Sequence, residues 1–254
     1  VTDNMTITAN FSRSLKSAII LPDDVNNSEL LKLYDGKTVD VTLGRTIYVD
    51  GAWSTLCLPF DVTTIEGTPF DGAEIRTVAE AYIWNKDAGD DNSKLIIKID
   101  TENQTSLTAG TPYLIRKAGD GTDNIVNPIF TDITIHKDVE AGQFTGADMD
   151  YIGLLVPKAL DTDGTDLILG GNNALHAVAE GSTTVNAFRA YFSYPKRVTA
   201  RPKHVALITE EAQTPTADEM IVIDEQTTMK VIEKGHLVIY RDGVKYDAIG
   251  NVIE

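Results

Sequence analysis

The chain has 254 residues, of which 42% are hydrophobic and 24% charged, so it has enough apolar side chains to bury a core and differs from disordered segments. Its 38 acidic residues against 22 basic ones give a formal net charge of −16, which disfavours nucleic acid and anionic membrane surfaces as partners. No stretch approaches the ~18 uncharged apolar residues of a membrane-spanning helix, so we expect no membrane-spanning segment.

The composition favours a protein of the cell exterior. The first ten residues lack the basic and apolar regions of a signal peptide, so an exported chain would have lost its signal before Val1. Cys57 is the single cysteine, which excludes an internal disulfide framework and any multi-cysteine metal site. Acidity, low cysteine content and many Thr, Asn, Asp and Gly residues together indicate an extracytoplasmic β protein, at the cell surface or secreted.

Short runs rich in Ile, Val, Thr and aromatic residues recur along the chain between clusters of Gly, Asp, Asn and Pro. This pattern is typical of strands in a sandwich or barrel. It predicts an all-β fold, mainly an antiparallel β-sandwich of jelly-roll or immunoglobulin-like type. The predicted strands cover residues 5–11, 38–43, 46–49, 53–62, 75–84, 94–99, 112–117, 132–136, 151–156, 166–169, 187–194, 204–208, 220–223 and 237–241.

A helical period occurs at one place, residues 28–34, where Leu30, Leu31 and Tyr34 share a face. Long helical connections of the kind that parallel strands need are not visible, so we expect hairpins and not βαβ units.

Asp-Gly, a dipeptide that favours the positive φ angles of two-residue hairpin turns, occurs six times. We expect the one at residues 50–51 to join two paired strands, with Tyr48 opposite Trp53. The positions are 35–36, 50–51, 71–72, 120–121, 163–164 and 242–243.

The chain divides into three parts by composition. Residues 1–35 add strands to the main domain or end a preceding module, residues 36–212 form the β-sandwich domain, and residues 217–254 form a small C-terminal β unit. A polar segment with a proline, QTPTAD at residues 213–218, separates the last two parts.

The C-terminal unit is predicted to be a three-stranded meander. Its first turn is at residues 242–243, so that Ile239 faces Tyr246 and Leu237 faces Ala248. A second turn at residues 250–251 would return residues 252–253 along the same sheet.

Searches for catalytic motifs return no GxSxG, HExxH, GxGxxG or CxxC, and no catalytic residues are assigned. The histidines His136, His176, His204 and His236 are scattered without the spacing of metal ligands, and Cys57 lies in an apolar strand where a small buried thiol is expected. A glycosidase would need two carboxylates across a cleft. The sequence does not show which two of the 38 acidic residues could form such a pair. We therefore expect a protein without enzymatic activity and leave the alternative open.

Two acidic loops are candidate calcium sites. Asp161, Asp163 and Asp166 place three carboxylates beside a turn glycine, and calcium accepts such oxygen clusters. A second acidic loop covers residues 87–92. The alternative for both loops is an ordinary solvated turn, since Asp is common in β-turns, and no other cofactor is expected.

Tyr82 and Trp84 are the candidate ligand-binding residues. They alternate with Ala81 and Ile83 on a predicted strand, so the two aromatic side chains share one face next to the acidic loop. That face is either a platform on which a sugar ring stacks or a part of the core.

Four stretches together resemble a known group of proteins. They are YVDGAWSTLCLPFDV at residues 48–62, LTAGTPYLI at 107–115, LGGNNAL at 169–175 with AFRAYF at 187–192, and GHLVIYRDGVKYDAIG at 235–250. Their order and spacing resemble a β module common in large cell-surface proteins of gut and oral Bacteroidetes, with the short β unit that ends many of them. The resemblance covers residues 38–254. It implies export, a mostly β fold and an adhesion-like role, and it supplies no catalytic residues.

These observations favour a non-catalytic binding or adhesion module that recognises a glycan or a protein at the bacterial cell surface. The alternatives are a carbohydrate-active hydrolase or its accessory domain, and a structural spacer or assembly subunit. A cleft with two carboxylates and several aromatic residues would favour the hydrolase, whereas a flat surface with one aromatic patch would favour binding.

Overall fold

Short strands recur along the chain between loops, as the sequence predicts. The computed structural model describes residues 17–86, 93–178, 184–196, 198, 202, 204–209, 220–222, 228–233, 236–241 and 244–247. In these residues the fold is all-β, with mainly antiparallel sheets. The described helices are α1, Ser28–Leu33, and a 3-10 turn at Gly171–Asn173, and neither has the length to cross a bilayer.

The strands have the following bounds, in chain order. The first half contains β1 Ala18–Pro22, β2 Thr38–Gly44, β3 Thr46–Ile47, β4 Ser54–Cys57, β5 Glu74–Arg76, β6 Val78–Trp84, β7 Lys94–Ile99, β8 Pro112–Arg116, β9 Ile125–Val126 and β10 Ile129–Thr134. The second half contains β11 Gln143–Thr145, β12 Asp150–Leu154, β13 Lys158–Ala159, β14 Asp166–Leu169, β15 Leu175–Ala177, β16 Thr184–Val185, β17 Arg189–Ser193, β18 His204–Thr209, β19 Met220–Val222, β20 Thr228–Glu233, β21 His236–Arg241 and β22 Val244–Asp247.

These strands form seven described sheets. The larger ones have the orders β1-β2-β10, β4-β8-β5, β11-β12-β17-β14-β15, β19-β18-β7-β6 and β20-β21-β22, and the two-stranded ones are β3-β9 and β13-β16. Most pairs are antiparallel, but β1 pairs with β2, and β7 with β18, in parallel.

The parallel pair of β1 and β2 contradicts the expectation that the chain has no βαβ connection. Helix α1 lies in the connection between the two strands, and Leu30, Leu31 and Tyr34 pack against the core, which confirms the predicted helical face. The connection contains a helix of six residues. The sequence predicted this helix but no strand at residues 18–22, so the parallel partner of β2 was not predicted.

The hairpin predicted at Asp50 and Gly51 is wrong, although its backbone conformation is right. Gly51 has φ +80°, as the Asp-Gly pair requires, and the glycines of the four other described Asp-Gly pairs also have positive φ. However, β3 pairs with β9 and β4 with β8, while the Gly51 N–H donates to the Lys117 carbonyl at 3.0 Å. A local turn permits a hairpin, but the burial of the flanking strands decides which partners they take.

Strand β4 and the residues after it contribute to two hydrophobic clusters. Leu56 belongs to the first cluster, which is shared by the β1-β2-β10 and β4-β8-β5 sheets, and Phe60, Phe70 and Phe130 meet there ring to ring. Trp53 belongs to the second cluster, which is shared by the β6-β7 pair and the five-stranded sheet. The segment thus buries apolar side chains in two different clusters.

A seam of glycines lets the chain pass closely beside Cys57. Gly110, which has φ +77°, accepts a hydrogen bond from the Cys57 thiol at 3.2 Å and another from the Gly142 N–H at 2.7 Å. The Gly142 carbonyl in turn accepts one from Gly153 N–H at 2.9 Å. A Cβ on Gly153 would lie 2.6 Å from Cys57 Sγ. The seam therefore requires residues without side chains at this crossing.

Strands β20, β21 and β22 form a three-stranded meander, and Ile239 faces Tyr246 as predicted. Arg241 pairs with Val244, and the predicted turn residues between them, 242–243, lie outside the described residues. The predicted pairing of Leu237 with Ala248 and the strand at 252–253 lie outside the described residues. The third described strand is instead β20, which precedes the hairpin.

Candidate functional site

Tyr82 and Trp84 lie on the outward face of β6. Ala81 and Ile83, which alternate with them, are buried in the second cluster. Trp84 is 53% exposed and Tyr82 is half-buried. The interpretation of the aromatic face as core is therefore wrong for Trp84, and the indole is accessible to a ligand.

Neighbouring residues fix the position of this aromatic face. Tyr82 lies opposite Ile96, and Trp84 opposite Lys94, in the β6-β7 ladder. The Lys98 ammonium lies 5.7 Å from the centroid of the Tyr82 ring and 3.1 Å from the Glu80 carboxylate. Aromatic and charged groups thus alternate on this surface, which suits a ligand with both apolar and polar faces.

The buried carboxylate of Asp148 holds the end of β6. Its Oδ2 accepts a hydrogen bond from the Ile83 N–H at 2.8 Å, and its Oδ1 lies 2.5 Å from the Lys86 ammonium. These contacts flank Trp84 on both sides in the sequence. They reduce the backbone freedom that a ligand would otherwise have to restrict on binding.

The first candidate calcium loop, which contains Asp161, Asp163 and Asp166, is held by hydrogen bonds to its own aspartates. Asp166 is buried, and its two oxygens accept hydrogen bonds from the Ser193 hydroxyl at 2.7 Å and from the Asp161 N–H at 3.0 Å. Asp163 accepts one from the Thr165 N–H at 2.8 Å. Within the described ranges, no group of three or more His, Cys, Asp or Glu side chains is arranged to hold a metal ion. The second acidic loop, residues 87–92, lies outside the described residues.

A cleft of about 370 Å³ opens between β14, β16 and β17. Ile168, Leu169, Val185 and Ala190 give it apolar walls, and Thr55, Thr184, Asn186 and Arg189 give it polar groups. Its size is at the lower end of the ~300–1,000 Å³ typical of ligand sites. Mixed walls of this kind suit a small polar ligand with an apolar face.

Asp23 organises the wall of this cleft from a distant part of the chain. Its carboxylate accepts hydrogen bonds from Arg189 Nη1 at 2.7 Å and from Asn186 Nδ2 at 3.1 Å. Its carbonyl accepts one from the Ala187 N–H at 2.7 Å. The ion pair is largely withdrawn from water, so Arg189 is held in one orientation beside the cleft.

A second guanidinium, that of Arg45, is buried near Arg189. Arg45 is 6% exposed, and it donates to the carbonyl of Phe188. Burial first, and then repulsion from Arg189, lower the pKa of Arg45 to about 9. Its Nε has no hydrogen-bond partner in the part of the chain that the structure describes.

Phe188, which carries the carbonyl that Arg45 contacts, has an unusual backbone. Its φ of +62° lies in the left-handed region, which a bulky residue rarely adopts. The conformation is held on both sides, because the Phe188 N–H donates to the Leu154 carbonyl at 2.7 Å and the Phe188 carbonyl accepts from the Cys57 N–H at 3.2 Å. Strained and tightly held segments of this kind occur often at binding sites.

Cys57 and two of the histidines, His136 and His176, lie outside both candidate sites. Burial raises the pKa of the Cys57 thiol to about 12, so Cys57 stays protonated, and this confirms a buried strand thiol. His136 and His176 are exposed; His176 lies in β15, whereas His136 follows β10 outside the strand.

The sequence analysis did not predict the polar and charged residues at and behind the cleft, which are Asp23, Arg45, Asn186 and Arg189. Asp23 and Arg189 are separated by 166 positions, and no local motif connects them. The one available signal was Arg189 itself, a charged residue within an apolar strand.

No protein-family model matches this chain, and no curated protein or solved structure matches it significantly. The residues and contacts described above are therefore the basis for assigning a function.

Proposed function

We propose that this chain is a non-catalytic binding or adhesion module of an exported bacterial surface protein, and that it recognises a glycan through Tyr82 and Trp84. The observation that carries the proposal is the position of Trp84. It is 53% exposed on the outer face of a strand whose inner face is core. The sequence motifs that resemble bacterial surface modules, together with the net charge of −16, support the cellular setting.

The physical chemistry of the aromatic face suits sugars. An indole or phenol ring offers a flat apolar surface to the C–H face of a pyranose, and the burial of that surface favours binding. The hydroxyl groups of the sugar need polar partners at the edge of the ring. Glu80 and Lys98 are charged groups beside Tyr82 that can supply them.

A glycan array followed by calorimetry tests the proposal. We expect the wild-type protein to bind at least one glycan, and Trp84→Ala to lower the affinity for it by about tenfold or more, as befits the loss of one aromatic contact. Tyr48→Ala is the matched control, because Tyr48 is a similarly exposed aromatic residue, at 57%, that directly follows β3. Equal affinity of the wild type and Trp84→Ala would refute the role of this face.

The same array separates the other functional classes. Release of new reducing ends during incubation with a bound glycan would indicate a hydrolase and overturn the non-catalytic assignment. Binding to no glycan, but to an extracellular protein in a manner that depends on Trp84, would keep the adhesion role and change its ligand. Failure to bind either would favour a structural spacer.

A further inference from the structure

We infer that the cleft beside Arg189 is a second binding site, and that it takes a singly charged carboxylate on a small polyhydroxylated ligand such as an acidic sugar. This goes beyond the proposed function, because none of the residues that line the cleft belongs to the Tyr82–Trp84 face.

The charges around the cleft are unbalanced. Arg189 lies in its wall and is paired with Asp23, so these two charges compensate each other. Arg45 adds a second buried guanidinium behind the wall, where it donates to the carbonyl of Phe188, the residue before Arg189. These three described side chains, one carboxylate and two guanidiniums, together carry a charge of about +1 at neutral pH. A buried positive charge without a counter-ion is unfavourable, so an anion in the cleft would stabilise it.

The local excess of one positive charge also selects the type of anion. A carboxylate brings one negative charge, whereas a phosphate monoester brings about −1.5 to −2 at pH 7 and would be left partly uncompensated. The planar guanidinium of Arg189 also matches the two oxygens of a carboxylate. A carboxylate therefore fits this site better than a phosphate.

The remaining lining groups suit the hydroxyls and the ring of a sugar. Thr55 uses its oxygen to accept a hydrogen bond from the Ala190 N–H at 3.0 Å, which leaves the hydroxyl proton to be donated. Asn186 donates through Nδ2 to Asp23, which leaves its side-chain oxygen as an acceptor. Ile168 and Val185 provide apolar surface beside these groups. An acidic monosaccharide presents the same combination of groups.

Calorimetry with matched sugars tests the ligand chemistry. Sodium galacturonate and galactose differ in having a carboxylate or a hydroxymethyl group, and N-acetylneuraminate is a second carboxylate probe. We expect one of the two acidic sugars to bind at least about tenfold more tightly than galactose, and its affinity to fall as salt is added. Absence of binding by both acidic sugars at millimolar concentration, or equal binding of galactose, would overturn the inference.

Three substitutions of Thr184 locate the site. Thr184 lines the cleft and is exposed, so these variants should fold with an unchanged melting temperature. Thr184→Glu and Thr184→Gln have nearly the same shape and differ in charge. We expect Glu to weaken binding of the acidic sugar about fivefold relative to Gln, and Thr184→Lys to strengthen it. Equal affinities of the three variants would place binding elsewhere and refute the inference.

The Trp84→Ala variant separates the two proposals. It should leave affinity for the acidic sugar unchanged, because Trp84 does not line the cleft. If Trp84→Ala removes this binding while the Thr184 variants keep it, the aromatic face is the acidic-sugar site and the cleft is not. Conversely, charge-dependent effects at Thr184 would support the cleft even if Trp84 proved to have no role.

Discussion

The contact between Gly153 and Cys57 can be tested by a double-mutant cycle. An Ala Cβ at position 153 would lie 2.6 Å from Cys57 Sγ, about 1 Å closer than the ~3.5–4.0 Å of an unstrained contact. Cys57 is fully buried and its thiol donates to the Gly110 carbonyl, so the sulfur cannot move away freely. We therefore expect Gly153→Ala to destabilise the protein by about 2–3 kcal/mol, as overpacking does.

Removal of the sulfur should relieve this overlap. Cys57→Ala alone should cost about 1–1.5 kcal/mol, because it removes one buried heavy atom and leaves a small cavity. If the two changes were independent, the double variant would lose about 3–4.5 kcal/mol. With the overlap removed, we expect it to lose about 1–2 kcal/mol, so the coupling is about 2 kcal/mol.

Urea unfolding followed by fluorescence of the buried Trp53 measures these free energies. Gly171→Ala is the control, because a Cβ there would have no atom within 4 Å and should change stability little. Additive losses in the double variant would refute the packing described for the glycine seam. So would a Gly153→Ala variant as stable as the wild type.

Three further predictions concern ionisation and metal binding. Folding raises the pKa of Cys57 from 9.0 to about 12, so the thiol favours the folded state most below pH 9. In urea unfolding between pH 9 and 11, the wild type should therefore lose stability relative to Cys57→Ala. A hydrogen bond from Arg116 holds the pKa of Glu74 below 4.5, so the contribution of Glu74 to stability is present above pH 4.5 and is lost in acid. Glu74→Gln should remove this part of the acid sensitivity of unfolding. The effect should be under about 1 kcal/mol, because the pair is partly exposed. EDTA should leave the melting temperature unchanged, whereas a drop of several degrees that calcium reverses would assign an ion to Asp161, Asp163 and Asp166 or to the loop at 87–92.

Local patterns predicted local structure well and pairings less well. The helical period at residues 28–34 predicted a helix with Leu30, Leu31 and Tyr34 on one face, and the structure confirms it. The Asp-Gly pair at Gly51 fixed a positive φ, but the flanking strands pair with residues 55 or more positions away. Pairing over such distances follows from how whole sheets bury their faces, which a short window does not contain.

The candidate sites show the same division. Alternation placed Tyr82 and Trp84 on one face of the strand. It did not show that the opposite face, with Ala81 and Ile83, is the one that packs in the core. The Asp23–Arg189 pair joins two distant segments through one contact. Arg189 within an apolar strand is unusual by itself, but a single sequence does not show that its partner is Asp23.

The distance in sequence between Asp23 and Arg189 has a consequence for the order in which the chain assembles. The first hydrophobic cluster consists mainly of residues 19–135, but Ala187 and Phe188 complete it, next to the arginine that pairs with Asp23. A ribosome that adds about 5–20 residues per second needs roughly 8–30 s to cover the 166 positions between Asp23 and Arg189. During that time the N-terminal strands have no Phe188 to close over them. The cluster therefore closes only after Phe188 has been synthesised, and a chain interrupted before that point exposes the apolar residues that Ala187 and Phe188 would have covered.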